Sequence, residues 1–145
     1  MADEAFPDVE GAFRDYLRAE TQVTAIVGNR AFFGVPVNAG ESSYPMLVVS
    51  RVGGGDDPSA DVPMDQALVQ IDAWGEVDGK GFGDKTSCRA LANAVRRACR
   101  KIRSATTQSG VILYGAVVQS DLWLPDPDTR RPRYAITVVV TAIVP

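Results

Sequence analysis

Apolar positions along this chain follow two periods, and the helical one is the clearer. From Asp84 to Ile102 (DKTSCRALANAVRRACRKI), counting from Cys88, the residues Leu91, Ala92, Val95, Ala98, Cys99 and Ile102 form one apolar stripe. No Pro or Gly interrupts the segment, and its abundant Ala and Arg are strong helix formers. Asp84 suits the N-cap, because its carboxylate can accept bonds from the free N–H groups of the first turn. A second helix is predicted from Asp8 to Glu20, with Val9, Ala12, Phe13, Tyr16 and Leu17 on one face. Gly11 weakens it by about 1 kcal/mol relative to Ala. A short helical turn covers Thr21 to Val27 and leaves through Gly28-Asn29.

Elsewhere the pattern is extended. Ala31 to Val37 reads as an edge segment, because Pro36 cannot donate to a central ladder. After a polar turn at 38–43, Tyr44-Pro45 leads into a strand over Met46–Val52. In Ala67–Trp74 the residues Ala67, Val69, Ile71 and Ala73 face one way, and Leu68, Gln70, Asp72 and Trp74 the other. Between these strands, Gly53–Asp65 (GGGDDPSADVPMD) reads as a long glycine-rich acidic loop. Gly75–Gly83 reads as a linker and Ser104–Ser109 as a polar loop. Val111–Leu124 is a long extended stretch with Gly115 as a candidate bulge. Pro125–Arg133 is a charged turn, and Tyr134–Val144 a closing strand apolar on both faces, as in a central strand covered on both sides. The last two strands form an antiparallel hairpin. These elements predict an α+β fold: a mostly antiparallel sheet of about four strands with two main helices packed against it.

Length and composition then set limits. The 145 residues make one ordinary domain, 1–145, able to bury a core without disulfide or metal. A net charge of −3 and a pI near 4.9 argue against a generic binder of nucleic acid or anionic membrane. Cys88 and Cys99 lie on one helix about 16 Å apart, too far for a disulfide, and read as buried thiols in a reducing compartment. The acidic N-terminus is no signal sequence, and no apolar run is long enough to span a membrane, which suggests a cytoplasmic protein.

Candidate chemistry is sparse. With no histidine, Ser–His–Asp and Cys–His catalysis and the commonest zinc sets are excluded. Gly79–Thr86 (GKGFGDKT) imitates a phosphate-binding loop, but Asp84 stands where the second glycine belongs, so a helix cap is the better reading. Asp56, Asp57, Asp61 and Asp65 match no calcium loop and read as solvated charge. No catalytic, cofactor or metal site is assigned, and no enzyme activity is expected. Two charged surfaces remain. Arg89, Arg96, Arg100 and Arg103 share a helix flank, with Arg97 and Lys101 further round. This is either a solvated face complementing the helix dipole or a surface for an acidic protein; nucleic acid is the weaker option, because no aromatic side chain interleaves it. The tip carrying Asp126, Asp128, Arg130, Arg131 and Arg133 is a solvated turn or a docking point for another subunit.

The order of these parts resembles the tail-terminator (tail-completion) family of long-tailed bacteriophages. The matching stretches are FPDVEGAFRDYL, VTAIVGNRAFF, YPMLVVSRVGGG, ALVQIDAWG, LANAVRRACRKI and DPDTRRPRYAITVVVTAIV. The resemblance spans nearly the whole chain and rests on order and spacing rather than on one motif. It implies a non-enzymatic virion protein, assembled in the host cytoplasm as a homohexameric ring. That ring would cap the tail tube protein, end its polymerisation and offer the head-joining surface to a head–tail connector protein. DNA would meet it only in passing through the lumen. The alternatives are a head–tail connector (neck) protein and, behind it, a nucleic-acid-binding module. Within a ring, the arginine flank would pair with Asp56, Asp57 and Asp61 of a neighbour, and the Asp126–Arg133 tip with a partner of either charge. Such heterologous contacts, once closed, leave no growing end.

Overall fold

The computed structural model describes residues 7–56, 64–77 and 84–143, with backbone only at Glu41 and at 103–107. The helices are α1 (Val9–Ala19), α2 (Thr21–Val27) and α3 (Lys85–Lys101), and the strands are β1 (Ala31–Phe32), β2 (Met46–Asp56), β3 (Met64–Trp74), β4 (Arg103–Gln108), β5 (Val111–Trp123) and β6 (Arg133–Ile143). Asp84 caps its helix as expected, its Oδ1 accepting from Ser87 N at 3.1 Å, and Asp8, read as the start of its helix, is the cap there, its Oδ1 accepting from Gly11 N at 3.0 Å. The fold is α+β, with one mixed sheet in the order β1-β2-β3-β6-β5-β4. Among the described strands only the two-residue β1 runs parallel to its neighbour.

The sheet therefore has six strands rather than about four, and the extra pairing falls on stretches read as loop. Ser104–Ser109 is mostly β4, paired with β5 through a turn in which Ser109 and Gly110 both have positive φ. That is the backbone of a tight hairpin, whose twist matches the flanking strands. The supposed loop 53–65 is shortened from both ends, because β2 continues to Asp56 and β3 starts at Met64; Asp57 and Asp61 lie outside the described residues. Gly54, at φ 115, pairs with Ala67 so closely that a side chain would meet the Gln66 carbonyl. Glycine here admits the neighbouring backbone rather than loosening the chain. Of Ala31–Val37 only the first two residues pair. Gly115 does mark a register shift in β5.

The helices cover one side of the sheet. Ala67, Val69, Ile71 and Ala73 of β3 and Tyr134, Ile136, Val138, Val140 and Ala142 of β6 are buried there with Phe13 and Leu17 of α1 and the stripe of α3. The two helices are also joined directly: the Tyr16 hydroxyl donates to the Ala98 carbonyl at 2.7 Å. Burial pushes up the Cys88 thiol to about 11 and the Cys99 thiol to about 12. The opposite side of β6 is not covered as a two-sided central strand would be: Ala135, Thr137, Val139, Thr141 and Ile143 are only half-buried. The cause is topological, since every α-helix among the described residues packs on the first side.

Candidate functional site

The arginine flank of α3 is drawn inward at its N-terminal half. Arg89 and Arg96 are seven residues apart, two helical turns on one stripe, and both reach Asp121 of β5. Their guanidinium groups donate to Asp121 Oδ2 at 3.0 and 2.8 Å, and Arg89 also lies 5.0 Å over the Tyr134 ring. Further round, Arg97 donates to Gln22 at 2.9 Å and Lys101 pairs with Glu20 at 3.0 Å, tying α3 to α2 and its cap. Arg100 is exposed near the C-terminal end of α3, and the Arg103 backbone pairs with Gly115. Much of the flank thus secures the helix to its own sheet. Such partly exposed pairs contribute roughly 0.2–1 kcal/mol each.

The 126–131 tip is a closed turn. The Asp126 carboxylate accepts from Asp128 N at 3.0 Å and from the Thr129 hydroxyl at 2.9 Å, while Asp126 N donates to the Arg131 carbonyl at 3.0 Å. Those bonds, the Asp128 backbone N–H first, hold the Asp126 carboxyl below its ordinary range. Asp128 and Arg130 stay exposed on the turn, Arg130 with φ 60. Arg131 is buried, in contrast to the surface cation expected. Its guanidinium lies 3.6 Å over the Tyr44 ring and donates to the Gly75 carbonyl at 3.2 Å. Within one subunit Arg89 and Arg96 thus meet Asp121, and Arg97 meets Gln22, rather than Asp56 or the Asp126 and Asp128 of the tip.

One charged pair joins residues far apart in the chain. Asp65, expected as solvated loop charge, is buried, and Arg51 donates to both its oxygens at 2.7 and 2.8 Å. That bond to Asp65 holds the Arg51 guanidinium above its ordinary value. Glu10 of α1 accepts from Arg51 N at 2.8 Å, so the cluster locks α1 to the β2–β3 hairpin. The false phosphate loop ends as a cap: the Asp84 carboxylate takes Ser87 N and the Ser87 hydroxyl, which hold it below its ordinary range. Lys85 turns away, 4.9 Å over the Trp123 ring. Among the described residues no cluster of metal-ligating side chains occurs, and no helix is long and apolar enough to cross a membrane.

The outer side of the sheet carries the apolar surface instead. Register places Leu68, Val139 and Val117 in one cross-strand row and Met64, Ile143 and Ile112 in another. Between them runs Gln66, Thr141 and Gly115. Val117 is 66% exposed, and Tyr114 and Leu122 are also open to solvent. Near β1 the same side is closed: Met46 and Val48 point outward by register with Trp74 and Asp72 yet are buried, and Tyr44 stands edge-on to Trp74 at 6.4 Å. Single exposed apolar residues are ordinary; contiguous rows of them mark an interaction surface.

Known proteins bear on what this surface belongs to. The family model of the tail completion protein gp17 matches residues 11–144. Among solved structures, the fold is similar to a chain from the virion of a native gene transfer agent (GTA) particle, with a TM-score of 0.62 and 17% sequence identity. That match covers 94% of this chain and 93% of the other, and at such identity the likeness is one of fold. No curated protein sequence matches. With a family model matched from within α1 to beyond the end of β6, the chain belongs to the tail completion protein gp17 family.

Proposed function

We propose that this protein acts as one domain that assembles into a closed ring of six on the end of the tail tube. There it stops further polymerisation and offers the surface to which the head joins. Its broad role, a structural part of tail assembly, follows from its family; the match over residues 11–144 is the observation that carries the finer reading too. The geometry supports it, because a sheet closed by helices on one side only leaves the other side for assembly. The engagement of Arg89 and Arg96 with Asp121 weighs against the nucleic-acid alternative, since those cations already have partners. On this reading the ring forms in the host cytoplasm and remains in the virion tail, between tube protein and head–tail connector, with DNA passing through its lumen.

The test is tube polymerisation with and without the protein, read as a length distribution by negative-stain microscopy. Tubes that stop growing and carry a ring at one end are expected. Equal lengths in both samples and bare tube ends would defeat the reading. Tight duplex binding that weakens steeply with salt and is lost in an Arg96→Glu, Arg100→Glu variant would favour the nucleic-acid module instead.

A further inference from the structure

The open outer face and a second apolar surface lie toward opposite edges of the sheet. Past β1 the chain runs through Phe33-Gly-Val-Pro-Val37, and no residue from Ala31 to Gly40 is charged. Arg14 lies 4.0 Å over the Phe33 ring and pins the start of this arm. Beyond it, Val35 flanks a recess with Tyr44, Trp74 and Thr129 on the outer side. Val35 is 49% exposed and Val37, at 101%, stands clear of the subunit. Pro36 fixes its own φ, which lowers the entropy cost of docking the segment in an extended form.

The outer face has a matching shape and polarity. Neither apolar row, Leu68–Val139–Val117 or Met64–Ile143–Ile112, contains a charge. In the row between them a Cβ added at Gly115 would meet nothing within 4 Å, so that position is a dent between two apolar ridges. A glycine inside a strand often marks a site of close approach by another chain. A subunit's own arm does not reach the dent. It lies over the Trp74 end, whereas Leu68 is six residues back along β3, about 20 Å, and Val117 is two strands across, about 10 Å.

We propose that the Val35–Val37 arm of one copy seats on the outer face of β5 and β6 of the next copy, with its apolar tip over Gly115 between Val117 and Ile112. The same face within one subunit offers a parallel: Val35 and Tyr44 line a recess beside Trp74, and Met46, paired with Trp74, and its neighbour Val48 are shut off from water at that corner. Two different patches on one chain make the contact heterologous, so each copy keeps one donor arm and one acceptor face, and only a ring satisfies all of them. The two rows over three strands cover about 17 by 14 Å, roughly 240 Å². A stable pair usually needs about 800 Å² per partner, so this contact is one part of a larger junction and holds weakly alone. The inference rests on the ring reading and adds which surfaces meet.

Variants with one added cysteine test it, because the native Cys88 and Cys99 are buried. Val35→Cys and Val37→Cys proteins, each mixed with a differently tagged Val117→Cys protein, are oxidised at high concentration and on tube ends. A disulfide needs Cα atoms within about 7 Å, so only contact between copies can form the mixed species. A mixed disulfide from at least one arm position is expected. It should fall about tenfold when the Val117→Cys partner also carries Gly115→Val, a change that the open space and unexceptional φ at Gly115 let the monomer absorb. Unchanged circular dichroism and melting would establish that it does. Val117→Cys pairing only with itself would mean an isologous contact and overturn the proposal, as would its linking to tube protein instead. Rings that form on tube ends without the mixed disulfide would overturn this contact and leave the ring reading standing. No self-association, in solution or on tubes, would remove both.

Discussion

The two faces of the sheet are built from the same strands and have different fates. On the inner face β3 and β6 contribute Ala67, Val69, Ile71, Ala73, Ile136, Val138 and Val140, all fully buried beneath α1 and α3. On the outer face the alternate residues of the same strands, among them Leu68, Thr137, Val139 and Thr141, are half-open, and Val117 of β5 is largely exposed. Alternation with a period of two lets one strand serve both purposes. The inner set is apolar and small enough for helices to approach. The outer set mixes Thr, Gln and Val, which tolerate water yet can still be covered. Residue parity along a strand can thus separate what stabilises the fold from what is left for assembly.

Truncation should separate the two faces by the widest margin. Leu91→Ala, beneath α3, should cost about 2–5 kcal/mol in denaturant unfolding, because it leaves a cavity where nothing can collapse fully. Val117→Ala should stay within about 0.5 kcal/mol in the isolated subunit. Equal losses at the two sites would mean the faces are not different.

A pH titration of stability probes the inner face next. Each folded thiol holds its proton more tightly than an unfolded one, ordinarily 9.0, so the stabilisation is complete below pH 9 and is lost as pH rises through about 11 for Cys88 and about 12 for Cys99. The loss is on the order of a few kcal/mol. Tyr16, whose phenol is also pushed up by burial, adds to it above pH 10. Cys99→Ala should flatten the alkaline slope in calorimetry, and an unchanged slope would refute the burial account.

Smaller effects belong to the charged ties. Asp65→Asn leaves Arg51 with a weaker partner beneath the β2–β3 hairpin and should cost about 1–3 kcal/mol in chemical unfolding. Asp121→Asn loosens two partly exposed arginines and should cost about 1 kcal/mol or less, with most of the difference gone in high salt. A larger loss at Asp121 than at Asp65 would reverse the order of burial on which both estimates rest.

The sequence made the inner face legible and the outer face obscure. The caps at Asp8 and Asp84, the α3 stripe and the Ala67–Ala73 alternation are local signals, and each is found where the pattern places it. β4 carried no such signal, because SATTQ shows no apolar alternation, and its strand is defined by backbone pairing with β5. The glycines of β2 look like loop until their partners on β3 are known. Asp65 and Asp121 were missed as anchors because their arginines lie 14, 25 and 32 residues away, brought near only by hairpin register and helix docking. Arg131 looked like a tip charge because nothing nearby in sequence announces the Tyr44 ring that shelters it.

If folding closes one face and assembly the other, thiol labelling of a Val117→Cys protein before and after assembly on tube ends will separate them. Fast labelling is expected at position 117 in the free subunit and strong protection once assembled, with Cys88 and Cys99 slow in both states. Labelling at 117 that stays equally fast in the assembled tail would contradict it.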